Sequence, residues 1–232
     1  MQRVFGTICG LGIGLAGGAW AQSTPVVVVE LFTSQGCSAC PPADGQLAEL
    51  ADDPRVIALA LHVDYWDYIG WKDRFGQPAF TQRQKAYARA AGSRMLYTPQ
   101  FIIDGSERVE GNQPDRVRSL VRAHTAAVSS PQLTLDRMGE AVTIKAPAAA
   151  LAAPVTVQVV RYHPSMTIDI ETGENAGRTI AYRNIVTSWQ TLQDWTGEEP
   201  LEMTVPATGE DEFVVILQEP GPGSIVAAAQ LN

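Results

Sequence analysis

Runs of apolar residues in the first half of the chain predict buried strands that alternate with amphipathic helices. Residues 26–29 are four consecutive valines, and β-branched runs of this kind favour a strand over a helix. Residues 56–63 form a second apolar run of strand length. Between these runs, residues 43–50 place Ala43 and Leu47 on one side, which predicts a helix. Strand, helix and strand in this order predict a βαβ unit with a parallel strand pair.

The rest of the first half adds two helices and a hairpin. The predicted elements are a helix over residues 79–91, two short strands over residues 101–103 and 107–109, and a closing helix over residues 113–128. Asp104 and Gly105 separate the two strands, and this dipeptide is a strong hairpin signal.

From residue 131 onward the pattern changes to short alternating runs separated by Gly, Pro and acidic turns. The predicted strands cover residues 133–135, 142–144, 155–162, 178–195, 201–205, 212–217 and 225–229. Such spacing predicts an all-β, sandwich-like domain over residues 130–232, after an α/β domain over residues 22–129. Residues 173–178 could form a recognition loop, but their composition favours a plain turn.

The first 21 residues have the pattern of a secretory signal peptide. Arg3 precedes an apolar, glycine-rich stretch, and Ala19 to Ala21 fit a small-x-small cleavage site. We expect a mature chain that begins near Gln22 and is periplasmic or secreted. A membrane anchor would need about 20 apolar residues, whereas the stretch from Val4 to Gly18 is shorter and rich in glycine. We therefore expect no membrane association after cleavage.

The charge of the chain argues against nucleic-acid partners. The formal net charge is −8, and the loss of Arg3, the one charged residue of the predicted signal, makes it −9. The sequence has no basic stripe and no phosphate-binding glycine loop. Nothing in the sequence indicates an oligomeric state.

The candidate chemistry lies in the Cys-Ser-Ala-Cys segment between the first strand and the first helix. Signal cleavage would remove Cys9 and leave Cys37 and Cys40 as the only cysteines. A Cys-x-x-Cys pair between a strand and a helix is typical of redox sites, because the helix N-terminus stabilises a thiolate. Cys37, at the turn, is then the expected nucleophile, and Cys40 would resolve the mixed disulfide. This role requires that the Cys37 sulfur be open to substrates.

Two other roles for the cysteine pair are open. A structural disulfide is common in exported proteins, but one that encloses two residues removes little chain entropy. A zinc site would need two further ligands, whereas the three histidines, His62, His124 and His163, lie far apart in the sequence. We therefore expect no metal and no cofactor.

An aromatic and acidic stretch follows the second predicted strand. Residues 64–73 include Asp64, Tyr65, Trp66 and Trp71. These rings could fill a gap in the core, or they could bind substrate at the carboxyl edge of the sheet, where Cys37 also lies. We predict these four residues, with Gln84 and Tyr97, as substrate-binding candidates.

The order of motifs in residues 26–128 resembles the thioredoxin fold. The segments ELFTSQGCSACPPAD, ALHVDYWDYIGWKD, FTQRQKAYA and YTPQFIIDG, and the later GENAGRTIAYRNIV, look more closely like a family of secreted thioredoxin-like proteins of bacteria and plants labelled as a domain of unknown function. This resemblance implies that Cys37 attacks, Cys40 resolves, and Thr98 and a cis Pro99 face the substrate. It also implies Glu30 as the nearest candidate for a buried proton-transferring acid.

Two departures from the thioredoxin pattern affect these expectations. The dipeptide between the cysteines is Ser-Ala, which leaves the direction of electron flow open. Pro41 and Pro42 follow Cys40 and disfavour helical geometry there, so the helix is expected to begin late or to be kinked.

Two functions therefore follow from the sequence. The first is a periplasmic thiol–disulfide oxidoreductase whose partners are protein or small-molecule thiols and disulfides. The alternative is a non-catalytic module that binds a peptide or small ligand and carries a resting disulfide. A hydrolase is disfavoured, because no nucleophile, histidine and acid set can be named.

Overall fold

The computed structural model describes residues 26–126 and 131–231. The predicted signal peptide, residues 1–21, and the predicted boundary between residues 129 and 130 lie outside the described residues. The described chain contains one large sheet, one small sheet and three α-helices, which confirms a mixed α/β architecture.

The first half has the element order that its sequence predicts. Its elements are β1 (Val27–Thr33), α1 (Pro41–Ala51), β2 (Val56–His62), a 3-10 turn (Asp67–Ile69), α2 (Pro78–Ala90), β3 (Gln100–Ile103), β4 (Glu107–Glu110) and α3 (Pro114–Thr125). Strands β1 and β2 are parallel, and the β3–β4 hairpin pairs antiparallel with β1.

The second half is entirely β within the described residues. Its strands are β5 (Thr134–Met138), β6 (Ala141–Ala146), β7 (Val155–Ile170), β8 (Arg178–Trp195), β9 (Leu201–Pro206), β10 (Glu212–Gln218) and β11 (Ile225–Gln230). Strand β7 extends eight residues past the predicted 155–162, because alternation resumes after Pro164 and buries Ile168 and Ile170. We call β7, β8 and their connection the long hairpin.

Strands from both halves join in one eight-stranded sheet of order β11-β10-β7-β8-β2-β1-β3-β4. The junction is a parallel bridge between Ala60 and Ile185, beside which Asn184 Nδ2 donates to the carbonyl oxygen of Ala58 at 2.9 Å. This differs from the separate second sheet system that the alternating runs predict. A buried run such as β2 shows that a strand has neighbours on both sides, but not which strands they are.

The small sheet provides the second layer of the C-terminal half. It has the order β5-β6-β9, and its Val142 and Ile144 pack against Val157 and Phe213 of the large sheet. The small sheet and the large sheet therefore enclose one apolar core, and the large sheet is shared with the first half.

The helices cover the two faces of β1 unequally. Helices α1 and α3 pack on the face that carries Val29 and Leu31, whereas α2 packs on the face that carries Val28 and Phe32. Because side chains alternate along a strand, Glu30 lies on the face opposite α1.

Candidate functional site

The two cysteines form a disulfide at the start of α1. Their Cα atoms are 5.4 Å apart, and Cys40 is the N-cap residue of the helix. The carbonyl oxygen of Cys40 accepts hydrogen bonds from the backbone N–H groups of Ala43 and Asp44 at 2.9 and 3.0 Å. The disulfide therefore lies at the positive end of the helix dipole.

The helix begins directly after Cys40, which corrects the expectation of a late start. Cys40 has helical backbone angles (φ −78°, ψ −36°), and Pro41 and Pro42 occupy the first helical positions. The missing N–H groups of the prolines are tolerated there because N–H groups of a first turn have no intrahelical partner.

The disulfide is closed to solvent, unlike the open nucleophile expected from the sequence. Cys37 is 1% exposed and Cys40 is 0% exposed, whereas Ser38 and Ala39 between them are exposed. We call residues 34–40 the cysteine turn. Solvent therefore reaches Ser38 and Ala39 at the tip of this turn but not its sulfurs.

A segment from the far half of the chain covers this turn. The side chain of Asn175, at the tip of the long hairpin, donates through Nδ2 to the carbonyl oxygens of Gln35 at 2.9 Å and Cys37 at 3.0 Å. Asn175 is itself 1% exposed. The cysteine turn is therefore held by a residue 138 positions later in the chain.

Gly173 allows the hairpin tip to approach the aromatic stretch closely. Its φ is +80°, and a Cβ at this position would lie 3.1 Å from Trp71 Cβ. Thr172 Oγ1 also donates to the carbonyl oxygen of Gly70 at 2.5 Å. These contacts fix the tip against the loop that borders the cysteine turn.

Two predicted substrate-binding residues, Trp66 and Trp71, lie at the cysteine turn and use their N–H groups to hold loops together. Trp66 Nε1 donates to Thr98 Oγ1 at 2.7 Å, and Trp71 Nε1 donates to Gln35 Oε1 at 2.8 Å. A Cβ on Gly36 would lie 3.2 Å from Trp66 Cβ and 3.4 Å from the carbonyl oxygen of Trp66, so Trp66 lies directly against the turn.

The remaining substrate-binding candidates belong to α2 or contact it. Gln84 Nε2 donates to the carbonyl oxygen of Tyr97 at 2.8 Å, and Asp64 Oδ1 accepts from Thr81 Oγ1 at 2.5 Å. Burial raises the pKa of Tyr65 to about 12, an effect partly opposed by the side chains of Gln84 and Thr98.

The peptide bond between Thr98 and Pro99 is cis, as the family resemblance implies. The carbonyl oxygen of Pro99 accepts a hydrogen bond from the N–H of Gly111 at 2.9 Å. Pro99 is buried and Thr98 is partly exposed.

The predicted acid Glu30 is engaged in a buried ion pair on the other face of the sheet. Arg83 donates to its two carboxylate oxygens at 2.6 and 2.8 Å, and Tyr87 Oη donates to Oε1 at 2.5 Å. Helix α1 and the disulfide that caps it belong to the opposite face, so the structure does not bring Glu30 to the cysteine pair.

A different acid, Asp44, lies on the same helix face as Cys40, one turn later. Thr33 Oγ1 donates to its Oδ1 at 2.8 Å, while Oδ2 has no hydrogen-bond partner among the described residues. Burial raises the pKa of Asp44 to about 7, although His62 and the bond from Thr33 act in the opposite direction.

A buried His–Asp pair supports the start of the cysteine turn. His62 Nδ1 lies 2.7 Å from Asp73 Oδ2, which also accepts the N–H of Gln35 at 2.8 Å. Burial opposes ionisation of Asp73, but His62 and the hydrogen bonds outweigh burial and lower the pKa of this carboxyl. Tyr182 of the long hairpin packs edge-on against the His62 ring, with centroids 5.0 Å apart.

Sequence reasoning missed Asp44, His62, Asp73 and Asn175 as site residues. Asp44 could have been found from its spacing of four from Cys40, which places both side chains on one helix face. His62 ends an apolar strand and Asp73 lies in the aromatic stretch, but nothing local indicates that they pair. Asn175 lies in residues 173–178, for which the sequence favoured a plain turn over a recognition loop, and its contact with the cysteine turn depends on how the long hairpin packs.

The described residues contain no group of three or more His, Cys, Asp or Glu side chains arranged to hold a metal ion. In residues 26–126 and 131–231, no helix is both long enough and apolar enough to cross a membrane.

Comparison with solved structures finds similar chains. A crystal structure of a protein from Agrobacterium tumefaciens is 33% identical, with a TM-score of 0.75, and the match covers 91% of this chain and 96% of that one. HBP35 of Porphyromonas gingivalis is 15% identical with a TM-score of 0.65, over 90% of this chain and 75% of that one, which shows a shared fold alone.

Comparison with curated proteins finds no match. The family described as "Protein of unknown function (DUF1223)" matches residues 28–218, which include the cysteine turn, the aromatic stretch and the whole long hairpin. The chain therefore belongs to this family of proteins of unknown function.

Proposed function

We propose that the protein is an exported thiol–disulfide oxidoreductase whose redox couple is Cys37 and Cys40. One observation carries the proposal: the pair forms a disulfide that caps the N-terminus of α1. A bridge across so short a loop stabilises a fold weakly, so stability alone accounts poorly for its presence.

The helix supplies the electrostatic basis for exchange. Once the bond is reduced, a thiolate at this position is stabilised by the unpaired N–H groups and the positive end of the dipole. The thiolate is the form that attacks a disulfide, so a lowered thiol pKa favours exchange near neutral pH.

The proposed reaction balances two electrons and two protons. A substrate dithiol attacks the Cys37–Cys40 bond through one thiolate, which forms a mixed disulfide with Cys37 and releases the Cys40 thiolate. The second substrate thiolate then attacks the substrate sulfur of the mixed disulfide and releases Cys37. The substrate leaves as a disulfide, the protein holds two thiols, and the reverse sequence reduces a substrate disulfide.

The element order of β1 to α3 supports a thioredoxin-like fold for the first half. In that interpretation Thr98 and Pro99 face the substrate, and Trp66 fixes their segment beside the cysteine turn through the bond to Thr98. The predicted signal peptide supports a periplasmic or secreted location, where protein thiols and disulfides are the expected partners.

Trapping of the mixed disulfide tests the proposal. A chain of residues 22–232 carrying Cys40→Ala should accumulate a mixed disulfide with a disulfide-containing peptide, because no resolving thiol remains. Mass spectrometry should place the bond on Cys37. The matched Cys37→Ala protein should accumulate far less, and equal trapping by both variants would contradict the assigned roles.

A second function is favoured by one observation, the burial of both sulfurs. Under it, the protein is a non-catalytic binding module and the disulfide is a resting bridge. The midpoint potential separates the two: disulfide enzymes lie between about −120 and −270 mV, whereas inert structural bridges lie below about −300 mV.

A further inference from the structure

The outer part of the long hairpin is a two-stranded ribbon that ends over the disulfide. Residues 165–170 pair with residues 178–183, and neither segment pairs with a further described strand. The hairpin joins the rest of the sheet through the bridge at Ile185 and, nearer its base, through β10. Isolated two-stranded ribbons are marginally stable, so the outer part depends on its contacts with the first half.

Those contacts reach the cysteine turn, the aromatic stretch, the His62 ring and Asp52 at the end of α1. Ile170 and Tyr182 belong to a small apolar cluster on which Trp71 and Phe75 pack. We call the connection between the ribbon strands, residues 171–177, the strap. Its residues are mostly exposed, but Asn175 is 1% exposed and directs both N–H groups at the cysteine turn.

The bonds made by Asn175 join the strap to the backbone that positions Cys37. They end on the carbonyl oxygens on either side of Gly36, one of which belongs to Cys37 itself. The Oδ1 atom of Asn175 has no hydrogen-bond partner among the described residues. The side-chain amide of Asn175 thus holds the strap on the turn through its nitrogen, while its oxygen is buried without a partner among the described residues.

We infer that the strap is an autoinhibitory segment, and that release of Asn175 from the cysteine turn is required before a thiol can reach Cys37. This inference rests on the proposed redox function and adds its regulation. When the strap lifts away while the ribbon strands stay packed through Ile170 and Tyr182, the cysteine turn keeps its place at the start of α1 and the disulfide becomes accessible.

The rate of disulfide reduction by dithiothreitol tests the inference. Dithiothreitol provides two electrons and two protons and becomes a cyclic disulfide, so no other reagent is required. Loss of the two buried hydrogen bonds in Asn175→Ala should raise the second-order rate constant roughly tenfold or more. Asn175→Asp, which keeps the size but removes the donors, should act in the same direction.

Glu174→Ala is the matched control, because Glu174 is the exposed neighbour of Asn175 in the same strap. Its rate constant should stay within about twofold of the parent, since no buried bond is lost. Thiol trapping followed by mass spectrometry gives the rates, and near-UV circular dichroism checks that each variant is folded.

Hydrogen exchange on the unmodified protein provides a second test that needs no variant. Strap amides should exchange through a local opening faster than amides of β1, and the opening rate should limit reduction at high dithiothreitol concentration. Exchange of the strap only by global unfolding would overturn the inference.

The outcomes separate the inference from the function on which it rests. A midpoint potential in the range of disulfide enzymes, together with equal reduction rates in the parent and Asn175→Ala, overturns the strap inference and leaves the function. Faster reduction of Asn175→Ala, together with a midpoint potential typical of structural bridges, supports the strap and overturns the function.

Discussion

Replacement of Asp44 by Asn should change how stability depends on pH. The Asp44 carboxyl is buried on the first turn of α1, and burial raises its pKa from 3.8 to about 7. Asn keeps an oxygen that accepts the bond from Thr33 and removes the charge. The perturbation therefore isolates the free energy of ionising this buried group.

The size of the effect follows from linkage. A shift of about 3 pKa units corresponds to about 4 kcal/mol, at 1.36 kcal/mol for each unit. The folded-state pKa of this acid is raised, so its contribution to stability is fully present below pH 3.8 and is lost as the pH rises through about 7. Relative to the parent, Asp44→Asn should gain about 4 kcal/mol between pH 4 and pH 8.

Urea unfolding of the parent and the variant across this pH range measures the difference, with the disulfide intact. Glu49→Gln on the same helix is the control, because the Glu49 side chain is 74% exposed. The control should show no comparable change. A difference between parent and Asp44→Asn that stays constant from pH 4 to pH 8 would refute the assignment of a raised pKa.

Three further sets of substitutions probe the Glu30 ion pair, the strap and the disulfide. Arg83→Met should lower the free energy of unfolding by about 3 to 5 kcal/mol, because it leaves the Glu30 carboxylate buried without its cationic partner. Adding Glu30→Gln to that variant should recover much of the lost stability. Urea unfolding that shows no loss for Arg83→Met would contradict this prediction. Gly173→Ala should destabilise the strap by about 1 to 2 kcal/mol because of its positive φ, and should speed reduction by dithiothreitol; unchanged kinetics would contradict it. Replacement of both Cys37 and Cys40 by Ala should lower the free energy of unfolding by only roughly 2 kcal/mol, and a much larger loss would indicate a structural bridge.

The sequence predicted most elements of the first half because their signals are local. Four valines, the Asp-Gly turn and the amphipathic run after Cys40 each depend on neighbouring residues. The observed bounds differ by a few residues at most: α2 covers Pro78–Ala90 where the pattern predicts 79–91.

The joining of the two halves could not be predicted, because strand partners are not encoded locally. Nothing near Ile185 indicates that β8 pairs with β2, so the alternating runs predicted a separate sandwich. The length of β7 was underestimated for a related reason, since Pro164 interrupts the pattern and the ribbon beyond it is stabilised by distant contacts.

The sequence singled out the two cysteines of the candidate site and two of the tryptophans that lie near them. Trp66 and Trp71 do border the cysteine turn, and both use their N–H groups to join loops. Glu30 has its charge paired with Arg83 on the far face of the sheet, which its sequence distance from Cys37 does not reveal. The cover provided by Asn175 depends entirely on the packing of the long hairpin.

The midpoint potential of the Cys37–Cys40 couple tests most directly whether this disulfide is a redox centre. Protein of residues 22–232 would be equilibrated with graded ratios of reduced and oxidised dithiol, acid-quenched, and its thiols counted by alkylation and mass spectrometry. The proposed redox function predicts a reversible two-electron transition with a midpoint between about −120 and −270 mV. A midpoint below about −300 mV, or a disulfide that yields only when the protein unfolds, would contradict it.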